Sequence, residues 1–282
     1  MPGVYCARMF RAAAIQMVSS DNVGGNLATA AGLIRQAVAD GAGFIVLPEN
    51  FPLMGREERD KLRIAEPYRE GPIQSFLREQ ATQHGIWLLG GTIPLTAGVA
   101  DRIRAASLLY NPRGECVARY DKIHLFDVMV NSGGSETYAE SATIEAGDEI
   151  IVARTPLGNI GLSICYDLRF PELYRSMLSE DVNIITAPSA FTATTGRAHW
   201  EILLKARAVE NLCYVIAPNQ GGRHVNDRET WGHSMIVNPW GEVVAVIETG
   251  EGVAGADIDL DQLKQLRQRF PALKHRKPNP WS

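Results

Sequence analysis

Bulky and small residues alternate over residues 160–165, where Ile160, Leu162 and Ile164 stand against Gly161, Ser163 and Cys165. A period of two marks a strand with differently filled faces. Here one face is bulky and the other nearly bare, which leaves room for something other than side chains. Cys165 ends the strand. Pro171 suits the first position of a helix that carries Leu173, Tyr174, Met177 and Leu178. A thiol between a strand end and a helix start lies in the positive field of that helix, which favours thiolate. These residues alone leave two readings open, a buried structural cysteine and a nucleophile.

The same periodicities place the other elements. Residues 12–18 read as a strand, and Asn26 caps a helix carrying Leu27, Ala31, Ile34, Ala37 and Val38 that stops at Gly41. Residues 44–47 form a short buried strand, so this βαβ unit predicts parallel strands and a right-handed crossover. Pro48, Glu49 and Asn50 follow at the carboxyl end, where open α/β sheets hold their ligands. Pro72 starts a second helix, with Ile73, Phe76, Leu77 and Ala81, ending at Gly85. A strand at 86–89 and a hairpin of 103–110 with 115–120 come next, and Lys122 follows the hairpin directly. Residues 126–149 show little periodicity and read as a long surface loop.

The second half predicts strands at 150–153, 183–187, 213–217, 235–237 and 243–247, and helices at 199–211 and 259–270. Residues 189–197 are small and polar, a loop after Pro188. Strands and helices alternate in both halves, so the class is α/β. No linker divides the chain, which predicts one domain over 1–270 and an extended tail over 271–282 that packs on the domain or on a partner subunit. The strand count exceeds what a simple single sheet holds and favours two packed sheets with helices outside.

Composition narrows the functional classes. Of 282 residues, 45% are hydrophobic and 21% charged, with a net charge of −4 from 28 basic and 32 acidic residues. No basic run marks a nucleic-acid footprint, the short stretch at 274–277 being a solvated or partner-packing end. No apolar run has the length of a membrane span. Arg8 and Arg11 break the apolar start, which argues against a signal peptide. Cys6, Cys116, Cys165 and Cys213 are scattered, and the six histidines form no metal-binding pattern. The expectation is a protein of the reducing cytoplasm with no metal.

Glu49, Lys122 and Cys165 each stand just past a strand end. A carboxylate can take the thiol proton, and an ammonium can stabilise first the thiolate and then an oxyanion on a substrate carbonyl. The backbone N–H of Tyr166 is a natural second oxyanion donor. These three residues also carry a resemblance. LPENF around Glu49, YDKIHLFD around Lys122 and GLSICYDLRFPEL around Cys165 resemble the three signature motifs of the nitrilase superfamily of carbon–nitrogen hydrolases, in order and over nearly the whole chain. The resemblance implies a four-layer αββα sandwich, a homodimer or higher homo-oligomer, a Glu49–Lys122–Cys165 triad and no cofactor. It also implies a second active-site glutamate, for which Glu140 in Tyr-Ala-Glu-Ser is the candidate and Glu136 the weaker one. A solvated loop glutamate is the competing reading.

Residues 188–211, 219–224 and 231–245 further resemble the amidase branch that holds the deaminated glutathione amidases and the omega-amidases. That branch implies a small amide substrate bearing a 2-oxo-acid carboxylate. The Gly-Arg-His at 222–224 is closer to the deaminated glutathione amidases, whose products are 2-oxoglutarate and cysteinylglycine. A carboxylate calls for a planar cation. Arg169 is the leading candidate for it, with Arg197 and Arg223 behind, unless Arg169 instead pairs with Asp167 or Glu172. Thr194 and Thr195 can line the same pocket. His124, His199 and His233 are read as supporting residues, and Cys116 and Cys213 as small core residues. Other readings are a Cys-His hydrolase using His199 or His233, nitrile or carbamoyl chemistry on the same triad, and a non-catalytic scaffold on the same fold.

Overall fold

The first sheet grows outward from parallel strands β1 (Met9–Gln16), β2 (Ala42–Val46) and β3 (Trp87–Leu89). These come from a computed structural model that describes residues 9–131 and 135–277, without the side chains of residues 130, 131, 135 and 136. β4 (Ile93–Thr96), β5 (Ile103–Tyr110) and β6 (Cys116–Asp121) extend that sheet antiparallel. Helices α1 (Val23–Ala39) and α3 (Pro72–His84) cover its outer face, and the short α2 (Asp60–Arg63) lies between them in sequence.

β7 (Asp127–Asn131) and β8 (Ser135–Ala139) pair with each other. β9 (Val152–Thr155), β10 (Gly158–Leu162) and β11 (Ile184–Thr186) belong to the second sheet, and α4 (Pro171–Met177) lies between the last two in sequence. After α5 (Ala193–Asn211), β12 (Tyr214–Ala217), β13 (Ser234–Val237) and β14 (Val243–Ile247) complete that sheet. β15 (Gly252–Asp259) returns to the first sheet beside β1, and α6 (Leu260–Arg269) follows. The two mixed sheets have seven and six strands.

Strand register decides which core each side chain joins. Ala12, Ala14, Phe44 and Val46 point at the second sheet and pack with Ile160, Leu162, Ile185 and Val215. Their neighbours Ala13, Ile15, Ile45 and Leu47 point the other way, onto Ala30, Ile34 and Leu77 of the outer helices. Both faces of the central strands are therefore buried, which requires the near-continuous apolar runs seen in the sequence. The result is the four-layer αββα sandwich.

Several local expectations are corrected. Asn22, not Asn26, caps α1, its Oδ1 accepting the Gly25 N–H at 3.0 Å. Asn26 is buried and donates to the carbonyls of Ser20 and Pro52, each at 2.9 Å, so it ties α1 to the chain that follows Glu49. The expected loop over 126–149 contains the β7–β8 hairpin, supported by the β-branched Val128 and Thr137. α5 begins at Ala193 rather than His199, because the Thr192 hydroxyl caps it by accepting the Thr195 N–H. β15 was not expected, since Gly252, Ala254, Gly255 and Ala256 give it little apolar signal. Pairing along the whole of β1 supplies its stability instead. The tail opens with a 3₁₀ turn, Ala272–His275, rather than an extended chain. Residues 278–282 lie outside the described residues, as does Cys6.

Candidate active site

The chain after β2 bends sharply. Leu47 N–H still bonds to the Leu89 carbonyl, but Pro48 ends the pairing and Asn50 takes φ 56°. Gly91 lies against this bend with φ 49°, and a Cβ there would sit 2.0 Å from the Pro48 oxygen. Glycine alone permits that approach. The Asn50 N–H donates to Thr92 Oγ1 at 2.8 Å, and Gln220 Nε2 donates to the Glu49 carbonyl at 3.0 Å. Backbone contacts from both sheets thus aim the Glu49 side chain.

Lys122 leaves β6 with its N–H on the Ala105 carbonyl at 3.0 Å. Its ammonium is wholly buried and donates to Glu49 Oε1 at 2.9 Å and to Glu140 Oε1 and Oε2 at 3.0 and 2.7 Å. Glu140 opens a 3₁₀ turn, Glu140–Ala142, and also accepts the Phe126 N–H at 2.8 Å. Burial alone would drive the Lys122 proton off. The charges of Glu140 and Glu49 outweigh it and hold the amine protonated well above its ordinary range. Burial likewise works against the Glu140 carboxylate, and the Lys122 ammonium with Lys61 beyond it keeps that group ionised below the usual value. Glu136 belongs to β8, and its side chain lies outside the described residues.

Cys165 follows extended Ile164 and turns into the left-handed region at φ 48°, the first residue of the 3₁₀ turn Cys165–Arg169. A non-glycine residue held there costs on the order of 1–3 kcal/mol. The Cys165 N–H bond to the Pro188 carbonyl, at 2.9 Å, helps to hold it. The thiol is nearly buried and faces the Ala190 N–H. The helix field expected to favour thiolate does not prevail. Burial first, and then the Glu49 charge, push the thiol well above its ordinary value, and Lys122 and the Ala190 N–H offset only part of this. α4 starts six residues later, at Pro171, and its field does not reverse the balance. Iodoacetamide labelling of Cys165 should therefore still accelerate beyond about pH 8.5, where an ordinary thiol is half ionised. A plateau reached below pH 7 would show a thiolate at rest.

The bare face of β10 also has another purpose than the one expected. A Cβ on Gly161 would meet Met177 Sδ at 2.6 Å, so the gap is taken by a side chain of α4 after all. Ser163 donates to the Thr186 carbonyl and accepts the Tyr174 hydroxyl, at 2.8 and 2.9 Å.

Asp167 braces the site and was not singled out by sequence reasoning. Fully buried, it accepts from Tyr120 Oη at 2.8 Å, from the His124 N–H at 3.1 Å and from the Ile164 N–H at 2.8 Å. His124 Nδ1 lies 2.7 Å from the same carboxylate. One side chain thereby locks the Lys122 loop to the Cys165 loop. Its only signal was position, two residues after the thiol.

The pocket above Cys165 is lined by Glu49, Glu140, Tyr166, Arg169 and Thr195, all expected, and by Phe126, Ala190, Phe191, Thr192 and Arg228, which were not. Arg169 makes no ion pair with a described carboxylate. Its guanidinium lies over the rings of Tyr166 and Phe191, 5.7 and 5.6 Å from their centroids, and meets His199 Nδ1 at 3.3 Å. The suggested pairing with Asp167 or Glu172 does not form. Thr194 and Arg197 are exposed on α5 and do not line the pocket; Arg197 packs over Trp231. Arg223 pairs with Asp227 at 2.9 Å on the surface. Neither His199 nor His233 lines the pocket, so the Cys-His alternative lacks its geometry.

Known proteins share this arrangement of chain. The model of the carbon-nitrogen hydrolase family matches residues 11–268. A deaminated glutathione amidase of Synechocystis sp. is 45% identical over 270 residues, 95% of this chain and 98% of that protein. The deaminated glutathione amidase of Homo sapiens is 40% identical over 95% of this chain and 82% of its own length. Among solved structures, the NitFhit protein of C. elegans superposes with a TM-score of 0.90 at 36% identity, over 98% of this chain and 67% of that one.

Proposed function

The chain belongs to the carbon–nitrogen hydrolase family, and from that premise we propose that it hydrolyses deaminated glutathione to 2-oxoglutarate and cysteinylglycine through a thioester on Cys165. The observation that carries the chemistry is the buried Lys122 ammonium held between Glu49 and Glu140, both of which line one pocket with Cys165. The substrate reading is supported by relatives named deaminated glutathione amidase at 40–45% identity.

Glu49 takes the thiol proton as Cys165 Sγ attacks the amide carbon. This suits a nucleophile that rests as a thiol. The oxyanion that forms is stabilised by the Lys122 ammonium and the Tyr166 N–H. The C–N bond breaks as Glu49 returns the proton to the departing amine. Glu49 then deprotonates a water that attacks the thioester, and the thiol is restored. Glu140 orients Lys122 throughout. Arg169, in no ion pair with a described carboxylate and lying over two rings, is the proposed anchor of the 2-oxo-acid carboxylate, with Thr195 at the start of α5 lining the same pocket.

Mass spectrometry of products is the direct test. Wild-type protein should convert deaminated glutathione to equimolar 2-oxoglutarate and cysteinylglycine. Failure on that substrate together with rapid turnover of 2-oxoglutaramate would make it an omega-amidase. The same reading carries a single domain over 1–270, a homodimer or higher homo-oligomer and a cytoplasmic setting, of which the assembly is measured by sedimentation velocity. No described helix is long and apolar enough to cross a membrane.

A further inference from the structure

We propose that Arg228 is a second carboxylate anchor, which binds the carboxylate on the amine side of the scissile amide and so selects substrates with a charged leaving group. The proposal rests on the deaminated glutathione reading and deepens it. Arg228 lines the pocket from the segment between β12 and β13, which is tied to the start of α5 by the Ala193 N–H on the Glu229 carbonyl at 2.9 Å. One of its Nη atoms donates to the Ala190 carbonyl at 2.6 Å, and Ala190 is the residue whose N–H faces the Cys165 thiol. Its guanidinium carbon lies 5.1 Å from the centroid of the Tyr138 ring. Its Nε is buried with no hydrogen-bond partner among the described residues, and it makes no ion pair with a described carboxylate. Glu58, one carboxylate that its charge reaches, is paired with Lys61 at 2.9 Å.

The segment that carries Arg228 is built to hold it still. His224 N–H donates to the Arg228 carbonyl at 2.9 Å. The buried His224 ring meets the Ser19 carbonyl through Nδ1 and Thr230 Oγ1 through Nε2, both at 2.8 Å. A carbonyl only accepts, so Nδ1 carries the proton, and a neutral ring then accepts the Thr230 hydroxyl through Nε2. Thr230 N–H closes the turn on the Gly222 carbonyl at 2.9 Å, and Asn226 Nδ2 reaches the Gly55 carbonyl at 3.0 Å. Rigid support of this kind is what a recognition residue needs and a solvated surface arginine does not.

Two guanidinium groups without carboxylate partners among the described residues therefore share the pocket of Cys165, Arg169 over Phe191 and Arg228 on Ala190. Two guanidinium groups on one pocket, neither in an ion pair with a described carboxylate, suit a ligand with two carboxylates. Deaminated glutathione carries one carboxylate on the 2-oxo acid and another on the terminal glycine, on opposite sides of the amide that is cut. 2-Oxoglutaramate has only the first. With Arg169 assigned to the acyl side, the leaving-group carboxylate falls to Arg228.

The experiment compares kcat/KM on three substrates: deaminated glutathione, its analogue with the terminal carboxylate converted to a carboxamide, and 2-oxoglutaramate. Wild-type protein should lose about 10- to 100-fold on the carboxamide, chiefly in KM, as expected when a charged hydrogen bond is lost. Arg228→Gln should lower the ratio of deaminated glutathione to 2-oxoglutaramate by a similar factor, with Arg228→Lys recovering part of it. In Arg228→Gln the carboxamide penalty should shrink toward unity. Wild-type protein that handles acid and carboxamide alike overturns the proposal, and needs no variant to do so. Equal losses on both amides in Arg228→Gln, the mark of a residue that only shapes the loop, overturn it as well. Wild-type protein that leaves deaminated glutathione intact overturns the substrate reading itself and this proposal with it.

Discussion

Cys165→Ala should fold normally and lose at least about 10⁴-fold in kcat, the scale on which removing a covalent nucleophile is felt. The substitution removes one sulfur from a small buried residue, so stability should change by no more than about 1 kcal/mol. Cys165 keeps its left-handed turn through backbone contacts, chiefly its N–H on the Pro188 carbonyl, and these do not need the thiol. Intact-protein mass spectrometry of acid-quenched reactions should reveal an acyl adduct on the wild type and none on the variant. A folded Cys165→Ala protein with more than a few per cent of wild-type turnover would remove the thioester from the mechanism.

Lys122→Met should be damaging twice over. The methionine fills much of the same space, but it leaves Glu49 and Glu140 facing each other without the ammonium that both now touch. Breaking a buried ion pair by removing one partner costs about 3–5 kcal/mol. Turnover should fall by at least about 10²-fold, through the lost oxyanion donor and the displaced base. The stability loss should have a pH signature. Two carboxylates in one buried site cannot both stay ionised, so one is pushed up in the folded variant relative to the unfolded chain. A carboxyl raised by folding destabilises at neutral pH, and the penalty fades as it protonates on acidification. The gap between variant and wild type should therefore narrow from pH 8 toward about pH 5 in denaturant titrations. A gap that stays constant, or widens on the acid side, would show that Lys122 does not compensate the two glutamates.

Wild-type protein has the complementary behaviour. Lys122 is held protonated well above its ordinary range, so its contribution is complete below the unfolded value and is lost only as pH rises through the folded one. Glu140 is depressed, so its contribution is present above the unfolded carboxyl value and is lost as pH falls through the folded one. Together these leave the buried Glu49–Lys122–Glu140 cluster charged across neutral pH.

Much of the fold and the placing of Glu49, Lys122 and Cys165 could be read from the residues. Alternation in β10, the βαβ pattern of β1, α1 and β2, and the hairpin of β5 and β6 come from local periodicity. They placed Glu49, Lys122 and Cys165 at strand ends because strand ends follow where apolar alternation stops. The short strand β4, interrupted by Pro94, and the small-residue strand β15 were not legible. Their stability is tertiary: each depends on pairing with β5 or β1, and no local pattern encodes a partner. Asn26 illustrates the same limit. Its type suits a helix cap, but its amide is used to join Ser20 to Pro52.

The sequence by itself determined the α/β class, through periodicities of two and 3.6, and the family, through three motifs whose resemblance implied the sandwich and pointed to Glu49, Lys122 and Cys165. Only the tertiary structure decided how they act. It buried the Cys165 thiol beside Glu49, which raises it and keeps it protonated although a helix start follows. It gave the room beside Gly161 to Met177 of α4. It brought Thr195 into the pocket and left Thr194 and Arg197 outside, since helix phase, not residue type, sets which way a side chain faces. It also brought Arg228 to Ala190 from 38 positions along the chain, a juxtaposition that no spacing in the sequence announces.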